Sequence, residues 1–111
     1  MKVVTLVGTR PEIIKLSRVI VNLDQTTTHI LVHSGQNYDY ELNQIFFSEL
    51  GIRAPNYFLN AAGQSACEGI AKVLTGFEKI LVKERPDAVL IYGDTNTCLG
   101  VMAAKRLKIP I

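Results

Sequence analysis

The chain has 111 residues, the size of one ordinary domain, and its 48% apolar content is enough for a hydrophobic core and excludes a disordered chain. The net charge of +2 comes from scattered basic residues, so we expect no nucleic-acid surface. The apolar runs are strand-sized, far short of a membrane span, and no signal-peptide pattern follows Met1. We therefore expect a cytoplasmic protein without membrane contact.

The two cysteines, Cys67 and Cys98, lie far apart and form neither a Cys-x-x-Cys motif nor a Cys/His metal pattern. Isolated cysteines in a reducing compartment are typically small apolar core residues. We therefore predict that both are buried, and we predict neither a disulfide nor a metal site.

The first predicted elements are two strands separated by an amphipathic helix. Residues 3–7 and 29–33 are apolar runs typical of strands that are covered on both faces. Residues 10–24 between them show helical periodicity, and the predicted buried stripe consists of Ile13, Leu16, Ile20 and Leu23.

The second half continues the alternation of strand and helix. A helix over 38–50 is predicted to bury Leu42, Ile45, Phe46 and Leu50, and a short strand over 57–59 follows. A capping-box pattern at Ser65 opens a helix to about Glu84, with Ile70, Val73, Leu74, Phe77 and Leu81 facing inward. After a strand over 88–92, a last helix is predicted to bury Leu99, Met102, Ala103 and Leu107, and residues 109–111 have the pattern of a further strand's first residues.

This order predicts βαβ units and an α/β fold with a Rossmann-like, doubly wound parallel sheet. We expect the first strand to lie centrally, with the second and third on one side and the strand at 88–92 on the other. The winding then reverses between the first strand and the strand at 88–92, so a crevice opens at their carboxyl ends. The site residues predicted at this crevice are Gly8, Thr9, Arg10, His33, Gln36, Asp94 and Thr95.

The turn Gly8-Thr9-Arg10-Pro11-Glu12 is the most informative motif. Thr9 and Glu12 form a capping-box pattern, in which the Thr9 hydroxyl accepts from the N–H of Glu12 and the carboxylate reaches back to the N–H of Thr9. Pro11 is tolerated in a first helical turn. The fold does not require Arg10, because a helix N-terminus disfavours positive charge. Arg10 is either a contact for a bound anion or a solvated surface cation.

The other candidates also carry two readings. Asp94 is a favoured helix N-cap, or a carboxylate that moves a proton or holds a sugar hydroxyl. His33 is a packed, hydrogen-bonded residue or a ligand contact, and Lys15 reaches the crevice only through its long side chain. Neither a Gly-x-Gly-x-x-Gly fingerprint nor a Walker motif is present, so a nicotinamide dinucleotide or a P-loop nucleotide is disfavoured. The residues alone indicate a phosphorylated or nucleotide-linked ligand.

Two motifs together carry a family resemblance. Gly8-Thr9-Arg10-Pro11-Glu12 after the first strand and Gly93-Asp94-Thr95-Asn96 after the strand at 88–92 resemble the non-hydrolysing UDP-N-acetylglucosamine 2-epimerases over the whole chain. The segments 31–43 and 57–63 are similar to the branch that makes UDP-N-acetyl-L-fucosamine from UDP-2-acetamido-2,6-dideoxy-L-talose.

The resemblance implies a glycosyltransferase-B-like fold of two Rossmann-like domains, of which residues 1–111 are a truncated N-terminal domain and the second domain is missing. It implies an isomerase that serves surface-polysaccharide synthesis, is a homodimer at full length and needs neither cofactor nor metal. The C2 proton is removed, UDP leaves, and UDP adds back with inverted C2 stereochemistry. Arg10 and Lys15 would contact the diphosphate–sugar, and Asp94 would be a catalytic carboxylate.

Family members are more than three times as long as this chain, so we expect it to be inactive alone. The alternative is a free-standing flavodoxin-like module that binds a phosphorylated ligand without turnover. A glycosyltransferase-B half-domain of another activity, such as a hydrolysing epimerase, is a third reading.

Overall fold

The computed structural model describes residues 1–35, 40–93 and 95–111, with residues 40–44 described as backbone only. The strands are β1 (Lys2–Val7), β2 (Thr28–His33), β3 (Tyr57–Phe58) and β4 (Ala88–Ile91). The helices are α1 (Arg10–Thr26), α2 (Tyr40–Glu49), α3 (Ala66–Glu84) and α4 (Val101–Arg106), and a 3₁₀ helix over Asn96–Gly100 precedes α4.

The four strands form one parallel sheet in the order β3-β2-β1-β4, which confirms the predicted order and the Rossmann-like α/β class. The central strand β1 pairs on one side with β2, where Val3 lies opposite His29, and on the other with β4, where Val3 lies opposite Ala88. Because β1 and β4 are neighbours, the turns that follow them are adjacent at one end of the sheet.

Helices cover both faces of the sheet, so β1 is buried from Val3 onward. On one face, Val4 and Leu6 pack with the apolar residues of α3 and α4; on the other face, Val7 packs with those of α1 and α2. The predicted stripe of α1 is confirmed for Ile13, Leu16 and Ile20, whereas Leu23 is half-buried. In α3, the buried residues are Val73, Phe77, Ile80 and Leu81.

The buried face of α2 differs from the prediction. Ile45 is exposed and Phe47 is buried instead, together with Ile52 beyond the helix. The predicted start of this helix at Tyr38 lies outside the described residues, as does the side chain of Leu42. In a short helix with three consecutive large apolar residues, Ile45 to Phe47, the periodicity is compatible with two buried faces. Packing against the sheet selects the face that contains Phe47.

The last helix also turns a different face inward. Of the four residues predicted to be buried, Ala103 is confirmed, whereas Leu99, Met102 and Leu107 are exposed. The other buried residues of this segment are Thr97, Gly100 and Ala104. The chain comes too close to the sheet for large side chains: a Cβ on Gly100 would lie 2.6 Å from Leu6 Cδ2.

Two further expectations concern the cysteines and the end of the chain. Cys67 is exposed and Cys98 is partly exposed, so the prediction of burial was wrong. Residues 109–111 form no assigned strand, although the N–H of Val89 in β4 donates to the Pro110 carbonyl at 2.9 Å. None of the helices in the described parts of the chain is long and apolar enough to cross a bilayer.

A polar network closes the amino-terminal end of the sheet. The buried His29 ring contacts Thr5 Oγ1 through Nε2 at 2.7 Å and Asp24 Oδ1 through Nδ1 at 2.6 Å. Arg53 donates to Asp24 at 3.1 Å and to the carbonyl of His29 at 3.0 Å. Burial on its own would raise the pKa of Asp24, but the hydrogen bonds and charges of His29 and Arg53 outweigh it and lower the pKa. The network joins α1, β1, β2 and the segment before β3.

We predict that Asp24→Ala lowers the free energy of unfolding at pH 7 by about 1–3 kcal/mol, because His29 and Arg53 lose their acceptor. The folded pKa of Asp24 lies below the ordinary value of 3.8, so its contribution is complete above pH 3.8 and is lost as the pH falls through the folded value. Urea unfolding at pH 7 and at pH 3 would measure both effects. The exposed Glu78→Ala is the control, and an Asp24→Ala deficit that stays equal at both pH values would contradict the prediction.

Candidate active site

The turns after β1 and β4 meet at the carboxyl end of the sheet, as the predicted switch point requires. The link between them is Glu12, which lies in the first turn of α1 and is only 2% exposed. Its carboxylate accepts hydrogen bonds from the Thr9 hydroxyl at 3.0 Å and from the Thr95 hydroxyl at 3.1 Å. Thr95 is 83 positions away in sequence, so one carboxylate joins the two motif-bearing turns.

Burial and hydrogen bonding act in opposite directions on the pKa of the Glu12 carboxyl. Burial raises the pKa of Glu12, and this effect is opposed by hydrogen bonds from the Thr9 and Thr95 hydroxyls and from the backbone N–H groups of Gly8 and Thr9. The predicted capping by Thr9 is wrong: its hydroxyl donates to the Glu12 carboxylate and does not accept from the N–H of Glu12. The hydroxyl groups of Thr9 and Thr95 both donate to Glu12, so they can only accept hydrogen bonds from a ligand.

A second polar contact lies behind the first turn. Ser34 Oγ, after β2, and Thr97 Oγ1, in the 3₁₀ helix, are buried and 3.1 Å apart. Both hydroxyl groups lie against Gly8, and a Cβ on Gly8 would overlap with both oxygen atoms. Gly8 is therefore required for close approach of three segments, which is a structural role for a residue that the sequence analysis placed in the ligand site.

Of the predicted cations, Arg10 is exposed in the first turn of α1, and its guanidinium lies over the Phe46 ring at 5.5 Å from the centroid. Contact with an aromatic face holds a guanidinium in place without neutralising its charge. Lys15 is exposed further along α1. Arg10 thus remains a charged group at the rim of the crevice.

His33 is buried at 1% exposure, with its ring stacked on Phe58 at 5.0 Å and edge-on to Phe47 at 5.8 Å. Its Nδ1 accepts from the N–H of Gly35 at 2.9 Å, which places the ring proton on Nε2. Among the described residues, no group accepts from Nε2. Burial lowers the pKa of His33 to about 4, so the ring is neutral at physiological pH.

Two predicted site residues, Asp94 and Gln36, lie outside the described residues. Asp94 stands between Gly93 and Thr95, and a Cβ on Gly93 would lie 3.6 Å from Glu12 Cγ. No group of three or more His, Cys, Asp or Glu side chains that could hold a metal occurs in the parts of the chain that the structure describes.

Sequence reasoning missed the roles of Ser34, Thr97 and Phe46 at the site, and it assigned Glu12 only to helix capping. For Glu12, the capping-box pattern itself was a signal of position but not of burial. The contacts of Ser34 and Thr97 depend on strand order alone and leave no local pattern.

The fold is a parallel α/β domain with a switch point between β1 and β4, and the sequence places Arg10 and Asp94 in the turns that follow these strands. The family model of UDP-N-acetylglucosamine 2-epimerase matches residues 21–111. The chain belongs to the UDP-N-acetylglucosamine 2-epimerase family.

Solved structures agree with this assignment. The chain is similar to the UDP-N-acetylglucosamine 2-epimerase of Rickettsia bellii, with 58% identity and a TM-score of 0.90 over 100% of this chain and 30% of that one. It is also similar to the Methanocaldococcus jannaschii enzyme, solved in complex with UDP-GlcNAc and UDP, with 42% identity and a TM-score of 0.90 over 98% of this chain and 31% of that one.

A curated relative carries a different substrate name. The UDP-2,3-diacetamido-2,3-dideoxy-D-glucuronate 2-epimerase of Pseudomonas aeruginosa is 41% identical over 100% of this chain and 32% of its own length. The chain thus spans about a third of the length of the relatives it matches.

We predict that Gly8→Ala lowers the free energy of unfolding by about 1–3 kcal/mol, because the added methyl group forces Ser34 and Thr97 apart. Urea unfolding measures the change. Gly76→Ala in α3 is the control, since its Cβ would meet only the flexible end of Leu59 at 3.1 Å. There the better helix former is expected to be neutral or to stabilise by up to about 1 kcal/mol. Equal stability of the Gly8→Ala and wild-type chains would show that the three segments are not tightly packed.

We predict that His33 titrates near pH 4, not near its ordinary value of 6.5. The unfolded chain then binds more protons than the folded chain between these values, so the contribution of His33 to stability falls as the pH decreases through this window. NMR titration of the carbon-bound ring protons measures the midpoint directly. A midpoint of about 6 or above would contradict the buried, neutral ring.

Proposed function

We propose that residues 1–111 are the N-terminal domain of a two-domain UDP-sugar 2-epimerase, which inverts C2 of a UDP-linked 2-acetamido sugar. The observation that carries this proposal is the junction at Glu12, where the Arg10 turn and the Thr95 turn meet in a chain that belongs to the epimerase family. Relatives named for epimerising UDP-sugars support the substrate class.

In the proposed reaction, a base takes the C2 proton while the C1–O bond breaks and its electron pair leaves with UDP, which gives a 2-acetamidoglycal. Return of a proton to the opposite face of C2 and attack of the UDP oxygen on C1 complete the inversion. The C2 proton is weakly acidic, so its removal needs a positioned base, and its return needs a positioned acid. We assign one of these two roles to Asp94.

The departing UDP gains negative charge, which a fixed cation stabilises. Arg10 meets this need, because its guanidinium is exposed and oriented by Phe46. Lys15, which is exposed further along α1, would be a second cationic contact for the diphosphate. His33 ends β2 at the carboxyl end of the sheet, and Gln36 follows it in the sequence. We assign both residues secondary roles near the sugar.

This domain supplies one wall of the proposed site. Family relatives are about three times as long, and a single wall cannot orient both the nucleotide and the sugar. We therefore propose that a second nucleotide-binding domain completes a glycosyltransferase-B-like enzyme and that residues 1–111 alone are inactive.

We propose UDP-2-acetamido-2,6-dideoxy-L-talose, the substrate of the L-fucosamine branch, as the substrate. The proposal is based on the sequence of segments 31–43 and 57–63, which is similar to that branch. Relatives of similar identity carry the names of different UDP-sugars, so family membership alone leaves the sugar open. The product would serve surface-polysaccharide synthesis in the cytoplasm.

We predict that the chain, joined in cis to a C-terminal epimerase domain, exchanges the C2 proton of this UDP-sugar in deuterated water. Arg10→Ala and Asp94→Asn should each lower turnover by at least ~10²-fold, because both groups act in the transition state. NMR of the C2 proton measures exchange and inversion together.

Arg18→Ala is the matched control, because Arg18 is also exposed on α1 but donates to the Leu50 carbonyl, away from the crevice. Near-normal turnover of Asp94→Asn would return Asp94 to a capping role. Exchange with UDP-N-acetylglucosamine only would overturn the proposed branch, and turnover by residues 1–111 alone would overturn the two-domain proposal.

A further inference from the structure

Glu12 is a buried acid whose hydrogen-bond donors are all uncharged groups. In the described parts of the chain, none of the ion pairs includes Glu12, although Arg10 lies only two positions away. Its carboxylate is held by the hydroxyl groups of Thr9 and Thr95 instead. Burial of a carboxylate is costly unless such donors replace water, so the arrangement needs an explanation beyond local helix formation.

Helix capping does not supply that explanation, as α3 shows. Glu68 holds the same position in the first turn of α3 as Glu12 does in α1, after the N-cap Ser65. Glu68 is exposed and contacts only nearby groups, the N–H of Gln64 at 3.4 Å and Lys72 at 3.3 Å. A glutamate at this helix position can therefore assist a helix start without being buried.

The groups around Glu12 belong to the two turns that carry the proposed chemistry. Gly8 and Thr9 precede Arg10 directly, while Gly93 and Thr95 flank Asp94 on both sides. The Thr95 hydroxyl contacts both carboxylate oxygens, at 3.1 and 3.4 Å. Any shift of Glu12 would thus change the distance between the segments that hold the proposed cation and the proposed base.

We propose that Glu12 is a positioning residue, which fixes the spacing of Arg10 and Asp94 across the crevice by holding the turns after β1 and β4 together. The assignment to catalysis rests on the proposed function, whereas the joining of the two turns does not. Glu12 acts through Thr9 and Thr95 and has no part in the proton transfer itself.

The joining of the turns is tested first in the 111-residue chain by amide hydrogen exchange. The N–H of Ile13 bonds to the Thr9 carbonyl at 3.1 Å, and the N–H of Cys98 bonds to the Thr95 carbonyl at 2.9 Å, so each turn contains a reporter. Glu12→Ala is expected to accelerate exchange at both reporters by at least about tenfold relative to the strand amides of β2. The distant effect on Cys98 is the decisive one.

The matched control is Glu68→Ala, which should affect only the amide of Gly69, bonded to the Ser65 carbonyl at 3.1 Å. Thr95→Val removes the donor across the crevice while keeping the shape of the side chain, and it provides a second test if Glu12→Ala folds poorly. Because Thr95 acts through Glu12, the double variant should exchange at Cys98 no faster than Glu12→Ala alone.

Turnover is tested in the chain joined to a C-terminal epimerase domain. Glu12→Ala and Thr95→Val should lower kcat, by roughly 10²-fold for Glu12→Ala, with little change in KM, because misplacement of reacting groups affects the transition state. Glu12→Gln keeps the shape and one acceptor oxygen, so it should restore most of kcat. Glu68→Ala should leave kcat unchanged.

The two measurements separate the ways in which the proposal can fail. Unchanged exchange at Cys98 in both Glu12→Ala and Thr95→Val would show that Glu12 does not hold the turns together. Faster amide exchange at Cys98 with an unchanged kcat would show that Glu12 joins the turns but that catalysis does not depend on it. If the unaltered two-domain protein has no epimerase activity, the proposed function fails, and the exchange at Cys98 still decides whether Glu12 joins the turns.

Discussion

A carboxylate can leave water only where several donors replace its hydration, and the Glu12 site meets this condition by drawing two distant turns together. The hydroxyl of Thr9 comes from the turn after the central strand, and that of Thr95 comes from the turn after the edge strand. The carboxylate is therefore satisfied only when β1 and β4 are neighbours, so its burial depends on the strand order and in turn supports it.

The two ends of the sheet carry polar groups of different kinds. At the amino-terminal end, Asp24, His29, Thr5 and Arg53 form a network of paired polar groups that joins four segments. At the carboxyl end, the polar groups leave an exposed cation, Arg10, beside a turn with an acidic residue. In open α/β sheets, ligands bind outside the carboxyl ends of the strands at the point where the strand order reverses, which is where this turn lies.

Close backbone approach sets the geometry behind the site. Gly8 leaves room for the hydroxyls of Ser34 and Thr97, and Gly100 leaves room for Leu6. Because the 3₁₀ helix and α4 approach the sheet through small residues, the larger Leu99 and Met102 stay on the outside. Periodicity reflects the hydrophobicity of side chains and gives no information on how closely two backbones approach. For this reason the prediction was wrong for Leu99, Met102 and Leu107, although Ala103 is buried as predicted.

The sequence by itself determined the α/β class, the strand order, most of the core and the two turns that mark the crevice. These features follow from local rules: β-branched runs for buried strands, helical periodicity and the turn chemistry of glycine and proline. The tertiary structure alone decided that Phe47 rather than Ile45 faces the core, that Cys67 is exposed, and that Glu12 is buried between Thr9 and Thr95. Each of these depends on what a second, sequence-distant segment brings into contact, and no local pattern encodes a partner 83 positions away.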